Sequence, residues 1–159
     1  MKYLLLGLFL LSPYCSNSQR DYCRDIKLEE DRSKGIVNYH TPLVGKQGIV
    51  GITRSMDDTL ATYSVYIGVT SSQPVAKGIS IALQLADGTI LKDEERMTTS
   101  SMTDANEYII SASMDIDDAA LESLSNTPVV RITCAGVSAN IHQKDALLLM
   151  KYASCLMEH

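Results

Sequence analysis

Apolar and polar residues alternate along most of this chain, and the alternation predicts strands. Tyr63, Val65, Ile67 and Val69 fall on one side of an extended backbone and Thr62, Ser64, Tyr66, Gly68 and Thr70 on the other, as in a strand that buries one face. Ile79, Ile81, Leu83 and Leu85 repeat the pattern against Ser80, Ala82, Gln84 and Ala86. Asp87-Gly88 follows at once and suits a type I′ turn with positive φ at both central residues, so 89–92 should return antiparallel with Ile90 opposite Leu85. Tyr108, Ile110, Ala112, Met114 and Ile116 alternate with Ile109, Ser111, Ser113 and Asp115. Val130, Ile132 and Cys134 alternate with Arg131 and Thr133, and Val137, Ala139 and Ile141 close the series. Nearer the start, Ile26 and Leu28 mark a first strand, 35–41 a second after the polar turn Asp31-Arg32-Ser33-Lys34, and 48–54 a third.

Two stretches leave period two. Asp117 and Asp118 precede a short helix over 119–124, capped by carboxylates and stopped by Asn126 and Pro128. Over 142–157 the spacing becomes helical, with Leu148, Leu149, Tyr152, Cys155 and Leu156 on one face. The segment 93–106 reads as the one long polar loop. Many short strands with polar turns predict a mainly β fold, an antiparallel immunoglobulin-like β-sandwich with a short connector helix and a C-terminal helix that packs its stripe on the sheets.

The first residues do not belong to that domain. Lys2 gives a positive start, Leu4 to Leu11 an apolar run of about eight residues against the roughly twenty that span a bilayer, and Ser16-Asn17-Ser18 a small-x-small cleavage site. We therefore expect a signal peptide over 1–18, a single domain over 19–159, and no transmembrane segment after cleavage. Export to the periplasm, the cell surface or the extracellular space follows. Lipidation at Cys15 would need a small residue before the cysteine, and Tyr14 stands there.

Composition narrows the functions. The formal net charge is −5, becoming −6 once Lys2 leaves with the leader, and no run of Lys or Arg remains, which argues against nucleic acid as a partner. The only Phe is Phe9 and Trp is absent, so the domain's aromatic residues are Tyr22, Tyr39, Tyr63, Tyr66, Tyr108 and Tyr152. That is poor material for a platform that stacks sugars or bases. Cys23, Cys134 and Cys155 show no CxxC or metal-ligand spacing. Cys134 keeps phase with Val130 and Ile132 as a small core residue, leaving Cys23 to pair with Cys155. Such a bridge would stabilise the fold by about 3 to 5 kcal/mol on the chain-entropy argument.

The polar clusters have structural readings. His40, His142 and His159 are far apart in sequence, and no GxSxG, HExxH or Gly-rich phosphate loop occurs, so no catalytic, cofactor-binding or metal-binding residues are assigned. Asp115-Ile116-Asp117-Asp118 fails the EF-hand pattern, with Ala120 and Asn126 where Gly and Glu are required, and reads as a helix cap. Glu29-Glu30-Asp31 and Asp93-Glu94-Glu95 read as solvated turns. Asp58-Thr59-Leu60 resembles an O-glycosylation site of exported Bacteroidetes proteins, but the reading preferred for it is a polar β-turn. The outward row Thr62, Ser64, Tyr66 and Thr70 is the candidate binding face, since hydroxyl groups on a flat sheet can hydrogen-bond a partner.

The string from Lys77 to Thr89 (KGISIALQLADGT), the Asp57-Asp58 turn, the Tyr108 strand, the Leu121/Leu124 helix and Arg131-Ile132-Thr133 are similar to small secreted β-sandwich proteins of Bacteroidetes without an assigned activity, over residues 24–141. The resemblance implies a sandwich fold and export, and it carries over no catalytic residues. The expected function is a non-enzymatic recognition or structural module with protein as its partner class. The alternative is a hydrolase for which His40 and the acidic loops would be the handles.

Overall fold

In the computed structural model, residues 21–73, 80–103 and 105–158 are described; the leader 1–18 with Cys15, Lys77, Gly78, Ile79 and His159 lie outside them. Among the described residues the order is a 3-10 turn (Tyr22–Asp25), β1 (Lys27–Asp31), β2 (Ile36–His40), β3 (Gly48–Met56), β4 (Ala61–Ser71), β5 (Ile81–Leu85), β6 (Ile90–Asp93), β7 (Thr99–Met102), β8 (Tyr108–Ile116), α1 (Asp118–Asn126), β9 (Val129–Cys134), β10 (Val137–Asn140) and α2 (Gln143–Glu158). The fold is mainly β. A six-stranded sheet, β1-β2-β3-β4-β8-β7, faces a four-stranded sheet, β10-β9-β5-β6, and every pairing is antiparallel.

The core lies between the sheets and beneath the helices, and period two puts it there. Val50 and Ile52 of β3, Val65, Ile67 and Val69 of β4, and Ile110, Ala112 and Met114 of β8 are all buried, and the register aligns Ile52 with Val65 and Val65 with Met114. Ile81, Leu83, Leu85, Ile132 and Cys134 meet them from the smaller sheet. Leu121 and Leu124 of α1 and Ala146, Leu149, Tyr152, Ala153 and Leu156 of α2 close the remaining side. Asp117 caps α1 as expected, its carboxylate accepting the Ala120 amide at 2.8 Å.

Cys23 and Cys155 form the disulfide, with Cα atoms 5.4 Å apart and 132 residues between them in sequence. It ties the turn before β1 to the last turns of α2. Tyr152 Oη reinforces the join by donating to Asp25 at 3.3 Å, and the Lys151 ammonium lies 4.1 Å from the Tyr22 ring centroid. Cys134 is the free cysteine of the described residues; fully buried, its thiol is pushed up to about 12 by desolvation.

Four details differ from the pattern-based expectation. The β5–β6 connection is a three-residue loop: Gly88 N–H donates to Leu85 O, Leu85 N–H donates to Thr89 O, and Gly88 alone has positive φ, +92°. That geometry, a turn followed by a left-handed glycine, shifts the pairing by one, so Ile90 stands opposite Gln84 rather than Leu85 and is 56 % exposed. In β9 a bulge between the partners of Gln84 and Leu85 inserts Val130, which turns outward while Val129 takes the core position. The 93–106 segment holds a short edge strand, β7, paired with β8. Leu28, expected with Ile26 to mark a first strand, does lie on β1 but is more than half exposed, β1 being an edge strand of the larger sheet.

Three outcomes test this packing. At Gly88 there is space for a side chain but the φ is unfavourable, so Gly88→Val should cost about 1 to 3 kcal/mol in urea denaturation, while Asp87→Asn, which still accepts the Thr89 amide, should stay within about 0.5 kcal/mol. For Cys134 the folded state holds its proton above the unfolded value of 9.0, so its contribution is complete below pH 9 and is lost as pH rises toward 12. Denaturation stability should therefore fall across that window, and Cys134→Ala should flatten the fall. In a chain beginning at Gln19, one thiol should react with a thiol reagent only after denaturant is added.

Candidate outer face of the six-stranded sheet

The residues of β4 that do not point inward share the opposite face of the sheet with their ladder partners. Register carries them into rows across the strands. One row is Asn38, Ser55 and Thr62; the next is His40, Thr53, Ser64 and Asp115; then come Gly51, Tyr66 and Ser113; then Ile49, Gly68, Ser111 and Thr99; the last is Thr70, Ile109 and Ser101. The structure thus keeps Thr62, Ser64, Tyr66 and Thr70 together on one side of β4 and adds hydroxyl groups from three more strands. Thr99 Oγ1 lies 3.3 Å from Ser111 Oγ, and Thr62 Oγ1 donates to Ser55 O at 3.5 Å.

Glycine shapes the middle of this face. A Cβ on Gly68 would come within 2.8 Å of Ile49 Cγ1 and 3.4 Å of Ile109 Cγ2, and one on Gly51 within 2.6 Å of Leu43 Cδ2. These two positions let Leu43, Ile49 and Ile109 lie against the sheet, forming an apolar seam among the hydroxyl groups. Leu43 remains 57 % exposed there.

At one corner three side chains form a chain of polar contacts. His40 Nδ1 is 3.0 Å from Thr53 Oγ1, and His40 Nε2 is 3.5 Å from Glu29 Oε2. The arrangement is hydroxyl, imidazole, carboxylate. At the opposite edge Arg96 bridges Asp115 at 3.0 Å and Asp93 at 3.2 Å, and these carboxylates, Asp115 first, raise the guanidinium's affinity for its proton.

The other acidic clusters serve their own turns. Asp31 is held below the usual carboxylate range first by the Ser33 hydroxyl, Asp93 first by the Glu95 amide, and Asp57 first by the Thr59 amide. Thr59 is thus part of an exposed turn in which its hydroxyl also donates to Asp57 at 3.0 Å. A cavity of about 480 Å³ opens at the start of α2, lined by Gly45, Lys46, Gln47, Asn140, His142 and Asp145 among others, and none of these turns' carboxylates lines it. Among the described residues no three His, Cys, Asp or Glu side chains converge on a point where a metal ion could sit. None of their helices is long and apolar enough to cross a membrane.

Thr53, Ser55, Ser111 and Ser113 were missed from sequence, although their polar phase within β3 and β8 was visible, and Thr99 was missed because 93–106 read as a loop. What was not visible is that β4 pairs with β8, which is about forty residues away. Comparison with models of protein families, with curated proteins and with solved structures finds no match to this chain. The described residues define a disulfide-linked, mainly β protein, with two antiparallel sheets and two α-helices among them.

Proposed function

We propose that the protein is an exported, non-enzymatic module of immunoglobulin-like sandwich architecture that recognises a protein partner through the outer face of its six-stranded sheet, in the periplasm, at the cell surface or outside the cell. One observation carries this reading: hydroxyl side chains from four adjacent strands share a face with the Leu43, Ile49 and Ile109 seam and with Tyr66. Short hydroxyl side chains donate and accept at little entropic cost, and a tyrosine supplies apolar area with a polar tip, the combination that protein interfaces favour. The face carries one aromatic ring and no basic stripe, which speaks against sugar stacking and phosphate binding. The disulfide fits an oxidising compartment.

A second reading, hydrolysis, draws on the Thr53–His40–Glu29 contacts, which have the order of a nucleophile, a base and its orienting acid. The two readings separate cleanly. A photocrosslinking residue at Ser64 should trap a protein from the exported fraction of the source cells, one at Glu122 on α1 should not, and Tyr66→Ala should weaken the complex by about thirtyfold, as a central tyrosine does. Equal labelling from both positions would remove the face from the account. Turnover of an ester, phosphate, peptide or glycoside that disappears in His40→Ala would put hydrolysis in place of recognition.

A further inference from the structure

We infer that the free edge of β7 is the dimer contact of this protein, and that it pairs antiparallel with β7 of a second copy to join two six-stranded sheets into one. Among the described residues β7 ends the larger sheet, and its hydrogen-bond parity shows which groups point away from it. Thr103 N–H donates to Glu107 O at 2.7 Å, so in the antiparallel ladder Ser101 and Thr99 also direct their backbone groups toward β8. The N–H and C=O groups of Ser100 and Met102 therefore face outward, on a strand whose residues are all exposed.

The chemistry of this edge selects a second copy. A two-fold antiparallel pair sets each residue against its own counterpart or a near neighbour, so charges meet like charges. Residues 97–103 (MTTSSMT) carry none. β1, at the other end of the same sheet, carries Lys27, Glu29, Glu30 and Asp31, and β6 carries Lys92 and Asp93, which guards both against such pairing. β10 is also uncharged, but the start of β3 packs beside it, where a Cβ on Gly48 would come within 2.9 Å of Ala139. Beside the axis stands Met102, 65 % exposed, which in such a pair lies diagonal to its own counterpart on the same face.

A two-fold axis at Ser101 satisfies the register. Ser100 then pairs with Met102 of the second copy and Met102 with its Ser100, giving four backbone hydrogen bonds around a non-hydrogen-bonded Ser101–Ser101 pair. The side chains of Thr99 and Ser101 lie on the outer face, so the two hydroxyl faces become continuous across the axis. This contact does not depend on what the outer face binds.

Sedimentation equilibrium on the mature chain in about 0.3 M salt, which screens repulsion between two acidic copies, is the direct test. The expected mass is twice that of the monomer. Ser100→Pro removes only an outward N–H and is expected to leave thermal unfolding close to that of the parent at equal monomer population while raising the dimer dissociation constant about tenfold or more. Ser101→Cys should give a covalent dimer with oxidised glutathione, because that pair places Cα atoms within disulfide reach, and Ser100→Cys should not. A parent that stays monomeric to near-millimolar concentration overturns the inference, whether or not an unrelated extended peptide binds the edge. So does a dimer that Ser100→Pro leaves intact and that Ser101→Cys fails to cross-link.

Discussion

The inner face of the six-stranded sheet is wider than the four-stranded sheet opposite it, and the structure depends on helix α2 to cover the difference. An uncovered apolar face of that width would forfeit roughly 25 cal/mol for each Å² left in water. Ala146, Leu149, Tyr152, Ala153 and Leu156 supply the cover, with α2 touching β3, β9 and α1. In folded proteins most helical stability comes from tertiary packing of an apolar face, and for α2 that packing is this docking. The Cys23–Cys155 bridge holds it there from the other end of the chain.

Docking also explains a charge in the core. Arg54 follows Val50 and Ile52 in phase on β3 and is only 9 % exposed. Its Nη1 donates to the Leu156 carbonyl at 3.4 Å, near the negative end of α2, and its guanidinium lies 5.8 Å and 6.0 Å from the ring centroids of Tyr39 and Tyr63, its neighbours in the ladder. Nε has no hydrogen-bond partner, so part of the desolvation cost is not recovered. The single contact to the Leu156 carbonyl links β3 to the last turn of α2.

How much of this was legible depended on whether the determining contacts were local. Alternation located β3, β4, β5 and β8, since each buries one face, and the phase of Cys134 left the correct cysteines to pair. Where an extra residue intervened the pattern misled: Val130 continues the phase of Ile132 on paper, but a bulge turns it outward, and Ala86 in the β5–β6 loop moves Ile90 by one place. β7 was unreadable, because Thr99, Ser100 and Ser101 are polar on both sides and an edge strand needs no buried face. The candidate site shows the same limit. Four of its residues alternate along β4, while the rest arrive through pairings between distant segments that no local pattern specifies.

With the inner face closed by α2, the proposed recognition falls on the outer face of the larger sheet. The central claim is that α2 is integral to the core rather than an appended helix. Native-state hydrogen exchange with the disulfide intact tests it most directly. The account predicts that amides near Leu149 and Ala153 exchange with the same opening free energy as those of Val65 and Ile67, in one global unfolding event. Exchange in α2 at a free energy several kcal/mol below that of β4, with the sheets still protected, would contradict it.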